Sequence, residues 1–493
     1  MPKRTTAFTL ALPPRESGTR AATWLYDALR QQILDGRLRP GARLPATRDL
    51  ARQYGLSRGT IVSAFDQLKA EGYVEGAVGS GTFVNQTLPD ELLHVPRTHA
   101  PRASPTPARR RVSDFARSAA LFPGFPARPA RAFRTDQPAL DLFPTTLWAQ
   151  LTARRLRRAT ASALLGCDPA GYQPLREAVT EYLTTSRGVR CDAAQVIIVA
   201  GAQEAFDLVS RVLLNRGDRV CMEEPGYRGA GFVFEAFGAK VSGVPVDDEG
   251  MEVPRGRRHD IRLAYVTPAH QFPIGVSMSL PRRLALLDWA RTTGALVLED
   301  DYDSEYRYSG RPLPALQGLD RHGSVLFAGT FSKVMFPSLR LGYLVVPTDL
   351  VDYFAAAKSI ATRHVPVLEQ AVLADFIVGG HFGRHVRRMR EVYAERLSVL
   401  LESAREHLAG MMEISSVEAG LQTVGWLGAG MSDVAAAKAA AERGVEVGPL
   451  SRYSRGRAPR EGVQMGFAAV DERELRRGVR ELAVALDTMS RRS

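Results

Sequence analysis

Cysteine is nearly absent from this chain: three residues in 493, at Cys167, Cys191 and Cys221. They are too few and too scattered for a disulfide framework or a thiolate metal site, so no metal is expected, and a reducing, cytoplasmic compartment is the simple expectation. Long apolar runs are missing too. No stretch reaches the roughly 18 apolar residues that a membrane helix needs, and Met1-Pro-Lys-Arg-Thr-Thr leads into no apolar run of the secretory kind. Acidic residues are scarce only at the front. Residues 1–90 hold 12 basic and 8 acidic residues, and residues 91–134 hold 9 arginines and 2 acidic residues. These segments carry +4 and +7 of a formal charge of +12. A basic front on a nearly neutral body implies a polyanion partner for the front alone. What remains is ordinary globular composition, 45% hydrophobic and 24% charged, on a chain long enough for two to four domains.

In the front, Trp24 to Leu34 places Leu25, Ala28, Leu29 and Ile33 on one helical face, and Asp35-Gly36 stops it. A second helix is expected over Thr47–Tyr54, with Thr47 as N-cap and Gly55 as the turn. A third begins at Ser57 and carries Ile61, Ala64, Phe65 and Leu68 at helical spacing. Gly72–Glu75 and Gly81–Val84 then alternate like a hairpin with a glycine-rich tip. Two helices, a tight turn and a hairpin describe a winged helix-turn-helix, whose recognition helix enters the major groove by its N-terminal end. The residue types on that surface suit phosphate oxygens and guanine edges: Arg43, Thr47, Arg48, Arg52, Ser57, Arg58 and Thr60, with Gly79 and Gly81 in the wing. The order Leu-Pro-Ala-Thr-Arg-Asp-Leu-Ala, then Leu-Ser-Arg-Gly-Thr, then Gly-Ser-Gly-Thr-Phe resembles the GntR family of bacterial transcription regulators over about residues 20–86. The resemblance implies that the polyanion is double-stranded operator DNA.

Domains are accordingly expected at 1–86 for the DNA reader, 87–130 for a linker and 131–493 for an effector body. The linker collects seven prolines between Pro96 and Pro129, with Arg109, Arg110 and Arg111 in its middle. Such a stretch buries too little apolar surface to order itself and should act as a semi-rigid spacer. At about 3.1 Å per residue, 25 residues reach on the order of 75 Å, enough for a reader to dock against a neighbouring subunit.

In the body, strand-like and helix-like segments alternate, which predicts an α/β fold with a mostly parallel sheet between helices. The large domain is expected at about 165–350 and a small α+β domain at about 355–493. Lys333 stands beside Thr330 and Ser332, with Arg340 seven residues on and apolar residues flanking both sides. Desolvation favours a neutral lysine amine, which can form a Schiff base with an aldehyde such as pyridoxal phosphate. The hydroxyls and guanidinium suit a phosphate dianion. A glycine turn, Gly201-Ala202-Gln203, feeds a helix N-terminus that offers free amides to an anion. The acidic pair Asp300-Asp301, followed by Tyr302, ends another strand. All of these fall at carboxyl ends of strands, where such sheets bind ligands.

This order is similar to that of fold-type I, aminotransferase-like proteins. The run Glu-Asp-Asp-Tyr-Asp-Ser-Glu-Tyr-Arg-Tyr ending at Tyr308, together with the reader, resembles MocR-type regulators over nearly the whole chain outside the linker. The resemblance implies pyridoxal 5'-phosphate as cofactor, in internal aldimine linkage to Lys333 and with its phosphate at Gly201, Ala202, Gln203, Thr330, Ser332 and Arg340. It implies that Asp300 pairs with the pyridine nitrogen, Tyr302 donates to the ring's phenolic oxygen, Tyr227 lies over the ring, and His270 and Gln271 reach the cofactor's rim. Arg452, with Arg228 second, is the candidate to hold an effector carboxylate. The implied function is a DNA-binding transcription regulator that senses the cofactor itself or a small amino compound by external aldimine formation. A homodimer on paired half-sites is implied, with readers exchanged between subunits among the arrangements open to it. The alternative is a working aminotransferase with an autoregulatory reader. Transaminases of this kind usually carry Asn-Pro-x-Gly where this chain has Phe272-Pro-Ile-Gly, so at most residual or half-reaction activity is expected.

Overall fold

A computed structural model of the chain describes residues 10–15, 18–77, 81–89, 110–122, 128–255, 260–309, 314–456 and 460–491. They fall into two compact units that divide between Arg110 and Arg111. Among the described residues no helix is long and apolar enough to cross a membrane.

In the first unit, α1 (Ala21–Leu34) buries Leu25, Ala28, Leu29 and Ile33, the face read from the sequence, and starts three residues before Trp24. α2 (Thr47–Tyr54) ends at Gly55 in the left-handed conformation. Its N-cap is Ala46, which makes no side-chain cap, so the expectation for Thr47 is corrected: Thr47 is the first helical residue. α3 (Arg58–Ala70) buries Ile61, Ala64, Phe65 and Leu68. The wing pairs β1 (Val74–Ala77) with β2 (Gly81–Val84) antiparallel, Val74 opposite Val84. The connector joins this hairpin as a third edge, through Gly41 N–H to the Val84 carbonyl (2.9 Å) and Leu44 N–H to the Thr82 carbonyl (2.8 Å). Leu44, Leu50, Tyr73 and Val84 complete one buried cluster with the helices.

The second unit begins inside the stretch expected to be a bare spacer, and there the expectation fails. A short helix, α4 (Asp114–Ala119), is capped by the Ser113 hydroxyl, which accepts from Ala116 N–H at 3.1 Å. It packs on the helix Arg228–Ala236: Phe115 meets Phe237 edge-on at 5.4 Å, and Asp114 pairs with Arg216 at 2.7 Å. Phe122 likewise meets Phe232 edge-on at 6.0 Å, and these two aromatic anchors in an arginine-rich run supply the apolar surface that composition alone averages away. The rest of that stretch, residues 90–109 and 123–127, lies outside the described residues.

Eight strands form the main sheet: β3 (Val196–Val199), β4 (Arg219–Glu224), β5 (Lys240–Asp247), β6 (Gly250–Met251), β7 (Leu263–Val266), β8 (Leu296–Asp301), β9 (Val325–Thr330) and β10 (Gly342–Val345). Their spatial order is β3-β10-β9-β8-β7-β4-β5-β6. The pairs β5–β4, β4–β7, β7–β8 and β8–β9 are parallel, whereas β10 runs antiparallel to both β9 and β3, and β6 to β5. Every residue of β3, β7, β9 and β10 is buried, as expected of strands covered on both faces. A second sheet, β11 (Met412–Ile414), β12 (Gln422–Leu427), β13 (Gly448–Pro449) and β14 (Gly462–Gly466), is antiparallel in the order β11-β12-β14-β13. The helices His381–His407 and Glu472–Ser490 accompany it. Phe133, just before the main body, bridges to Gly466 on β14, which carries the segment Arg134–Asp136 across this sheet.

Candidate functional site

Register brings the phosphate candidates together. Gly342 on β10 lies opposite both Thr330 on β9 and Val199 on β3, so the ends of three strands meet. Gly201 follows β3 at φ 95° and starts the helix Ala202–Leu213. That backbone favours glycine, and a Cβ there would sit 3.4 Å from Arg340 Nη1. The Thr330 hydroxyl accepts from Ser332 N–H at 3.2 Å, while Ser332 Oγ is buried without a hydrogen-bond partner among the described residues. Arg340 has no carboxylate partner among the described residues. A guanidinium thus meets the first amides of a helix at Gly201, with the spare hydroxyl two residues past the adjoining strand end, a donor set that fits a phosphate.

Next to it stands Lys333, whose Nζ lies 2.8 Å from Asp136 Oδ1 and 2.9 Å from the Asp136 carbonyl. Asp300, the last residue but one of β8, is buried. Its Oδ2 accepts from Tyr265 Oη at 2.6 Å, and its Oδ1 is buried with no partner among the described residues. Desolvation first, opposed by the Tyr265 bond and deepened by Asp301 and Asp303, pushes this carboxyl up to about 7. A buried carboxylate with one idle oxygen fits a protonated ring nitrogen. Tyr227 stands edge-on to Phe272 at 5.4 Å, and its hydroxyl accepts from Gln203 Nε2 at 3.1 Å.

Two expectations at the rim change. Tyr302's hydroxyl lies 3.0 Å from His270 Nδ1, which is also 3.0 Å from both Asp303 carboxylate oxygens; it is engaged by the histidine rather than presented alone. His270 is buried with Nε2 idle. Gln271 does not reach the pocket. Its amide nitrogen donates to Glu223 (3.2 Å) and to the carbonyls of Pro225 (2.9 Å) and Phe272 (2.6 Å), and its oxygen accepts from Ile274 N–H (3.0 Å). Fully used, Gln271 fastens the Thr267–Gly275 loop to β4. Arg228 and Arg452 are brought together: Arg228 Nη1 donates to the Arg452 carbonyl at 3.4 Å, and the Arg228 guanidinium carbon lies 4.8 Å from the centre of the Phe232 ring. Both are exposed.

Several site residues escaped the sequence reading. Tyr265, Glu223 and Asp303 brace the groups just described. Tyr265 was visible as the one polar-tipped residue of an apolar strand, and Asp303 as the next acid after Asp301. Gln422 and Gln464, lone amides inside the short apolar strands β12 and β14, carried the same signal. Nothing in the sequence marked Asp136.

In the first unit, Ser57 caps α3, its hydroxyl accepting from Thr60 N–H at 3.1 Å and lying 2.8 Å from Thr60 Oγ1. Arg43 bridges to Phe83 on the wing, with its guanidinium against Gly81. Arg43, Arg48, Arg52 and Arg58 are exposed, and none has a carboxylate partner among the described residues. Gly79 lies outside the described residues.

Comparison with known proteins agrees with both halves. Residues 22–84 match the family described as bacterial regulatory proteins, gntR family, and residues 138–482 match aminotransferase class I and II. The chain is 40% identical, over 94% of its length and 92% of the relative's, to a probable rhizopine catabolism regulatory protein, MocR, of Rhizobium meliloti. It is 32% identical, over 97% of its length and 98% of the relative's, to the HTH-type pyridoxine biosynthesis transcriptional regulator PdxR of Corynebacterium glutamicum. Among solved structures, it resembles LysN, an alpha-aminoadipate aminotransferase of Thermus thermophilus complexed with N-(5'-phosphopyridoxyl)-L-leucine, at 30% identity and TM-score 0.67, covering 73% of this chain and 93% of that one.

Proposed function

The chain belongs to the MocR-type regulators, a gntR-type DNA reader joined to an aminotransferase class I and II body that takes pyridoxal phosphate, and from that premise we propose that a small amino compound entering the Lys333 pocket controls operator occupancy. The aldehyde cofactor supplies an electrophilic carbon on which Lys333 Nζ and the nitrogen of an amine can compete. The protein's own groups do the rest. Asp300, braced by Tyr265, would hold the ring nitrogen; Ser332, Arg340 and the amides after Gly201 would hold the phosphate; Tyr227 and Phe272 would wall the ring; His270, Asp303 and Tyr302 form a buried polar cluster that would rim it. A ligand moves the DNA equilibrium only if it binds the two states of the regulator unequally. A homodimer would then set two readers on paired half-sites.

The observation that carries this reading is the buried Asp300 carboxylate, idle at one oxygen, in the same pocket as Lys333. Its test is an absorbance spectrum of full-length protein with added cofactor, before and after borohydride reduction, followed by mapping of the modified residue. Wild type should show a band that Lys333→Ala lacks, and reduction should label Lys333 alone. A colourless wild type that takes up no cofactor would sink the proposal.

A further inference from the structure

Asp136 is held at φ 67°, a backbone region that glycine enters freely and an aspartate enters only at some cost. Its carboxylate nevertheless sits at the reacting nitrogen of the pocket, 2.8 Å from Lys333 Nζ. After burial itself, the charge of Asp136 helps push the hydroxyls of Tyr227, Tyr302 and Tyr453 up, so it lies near these three rings. Asp136 is thus an anion placed at the nitrogen where an amine ligand would compete with Lys333.

The sheet face packed against the segment leading to it is equally unusual. Gln422 and Gln464 are buried, and all four of their amide atoms lack a hydrogen-bond partner among the described residues. The register Gln422 opposite Gly466 and Val424 opposite Gln464 puts both glutamines on one face of the second sheet. Two glycines locate what covers that face. A Cβ on Gly466 would strike the Arg134 carbonyl and come within 3.0 Å of Thr135 Cα, and a Cβ on Gly448, opposite Gln464, would lie 3.3 Å from Tyr453 Oη. The face therefore looks onto the segment leading into Asp136 and onto Tyr453, whose ring stands against Phe272 at 5.0 Å. Gln137, the residue after Asp136, adds another buried and idle amide oxygen.

Buried amides left idle are costly unless something pairs with them. Amides donate and accept, and so do hydroxyl groups, whereas a carboxylate only accepts. A carboxylate ligand would meet Asp136 as a like charge and find amides where it needs a cation; the arginines Arg228 and Arg452 are exposed. We infer that the effector is an amine bearing hydroxyl groups and no carboxylate on its amino carbon, with Asp136 selecting against amino acids and Gln464, Gln422 and Gln137 pairing with the hydroxyls. The inference rests on the reading of the pocket given above and adds the ligand class to it.

The test compares 2-amino-1,3-propanediol with L-serine, which differ by a hydroxymethyl group in place of a carboxylate. Each is titrated into cofactor-loaded, full-length protein, followed by the cofactor's absorbance and by operator binding. The diol should act at a concentration at least about tenfold below that of serine, since specificity is a difference of affinities. Asp136→Gly, which relieves the backbone, should shift the preference toward serine by about tenfold or more; Asp136→Asn is the second variant should glycine loosen the segment. Equal or stronger action of serine on wild type, or no response to either amine from protein with a Lys333-dependent band, overturns this assignment alone. The absence of any Lys333-dependent band overturns the parent reading, and this assignment with it.

Discussion

Tyr265 Oη donates a 2.6 Å hydrogen bond to one oxygen of the buried Asp300 carboxylate, whose other oxygen has no partner among the described residues. Tyr265 comes from β7 and Asp300 from the neighbouring β8, whose parallel register sets Tyr265 opposite Leu298 and so on the same face as Asp300, two residues further on. One oxygen is thus fixed by the protein and the other kept for a ligand.

Asp300 should make the cofactor-free protein less stable as pH rises. Its carboxyl is raised from 3.8 to about 7, chiefly by desolvation, so between those values the folded chain holds a proton that the unfolded chain has released. Its contribution to stability is full at low pH and is lost as pH climbs toward 7. At about 1.4 kcal/mol per unit, the effect is on the order of a few kcal/mol. In melting experiments on cofactor-free protein, the advantage of wild type over Asp300→Asn should be greater at pH 5 than at pH 8. A pH-independent difference would place the titration elsewhere.

Glu223→Ala should loosen the pocket from behind. The carboxylate accepts from Thr267 N–H at 2.9 Å, Thr267 Oγ1 at 2.5 Å and Gln271 Nε2 at 3.2 Å. Removing it strands buried donors, at roughly 1–3 kcal/mol for an unsatisfied group. The melting temperature should fall by several degrees and cofactor affinity by about tenfold, with Lys333 still the residue labelled on reduction. Unchanged cofactor affinity would mean that the Thr267–Gly275 loop keeps its shape without this anchor.

The sequence carried the chemistry that lies along one strand end and missed what lies between elements. Lys333, Ser332, Thr330, Asp300 and Gly201 were legible because each sits in a short segment whose order and spacing are local. The faces of α1 and α3 were legible because burial there follows the helical repeat. Asp136 was not, because its role comes from a crossing between residues near 134 and strand β14, some 330 positions away. Gln271 read as a ligand-facing group because its polarity shows in sequence, while the four partners that consume it do not. The helix after Ser113 was hidden by composition: two phenylalanines were outvoted by prolines and arginines in a window-level reading.

Arg187 and Asp301 form a buried ion pair at 2.7 Å on the other side of the Asp300 strand end. The acids nearby, Glu299 and Glu305, are already raised, to about 6 and about 7, mainly by burial. Arg187→Met would leave Asp301 buried beside them without its cation, a loss of about 3–5 kcal/mol for a broken buried pair. Adding Asp301→Asn should recover part of it, because the uncompensated charge is then gone. Chemical denaturation of the single and double variants measures both. A single variant as stable as wild type would show that the pair contributes little.

The arginines of the reader should separate into two kinds of behaviour. Arg48 and Arg52 are displayed by α2, the helix that crosses the backbone in such modules, whereas Arg58 opens α3, whose N-terminal end meets base edges. A phosphate contact carries no sequence information, so Arg48→Ala and Arg52→Ala should weaken operator and unrelated DNA alike. Each should flatten the slope of log affinity against log salt by about one. Arg58→Ala should lose about 1–3 kcal/mol on the operator and less on unrelated DNA, since a bidentate guanine contact discriminates between bases. Ser57→Ala acts differently again: it removes the cap on Thr60 N–H, costs about 1 kcal/mol of stability, and should lower the melting point of the reader with little change in salt dependence. Binding isotherms at several salt concentrations on both DNAs distinguish these outcomes. If Arg58→Ala reduced both affinities equally, α3 would be touching the backbone with its first turn, and base recognition would have to come from further along the helix.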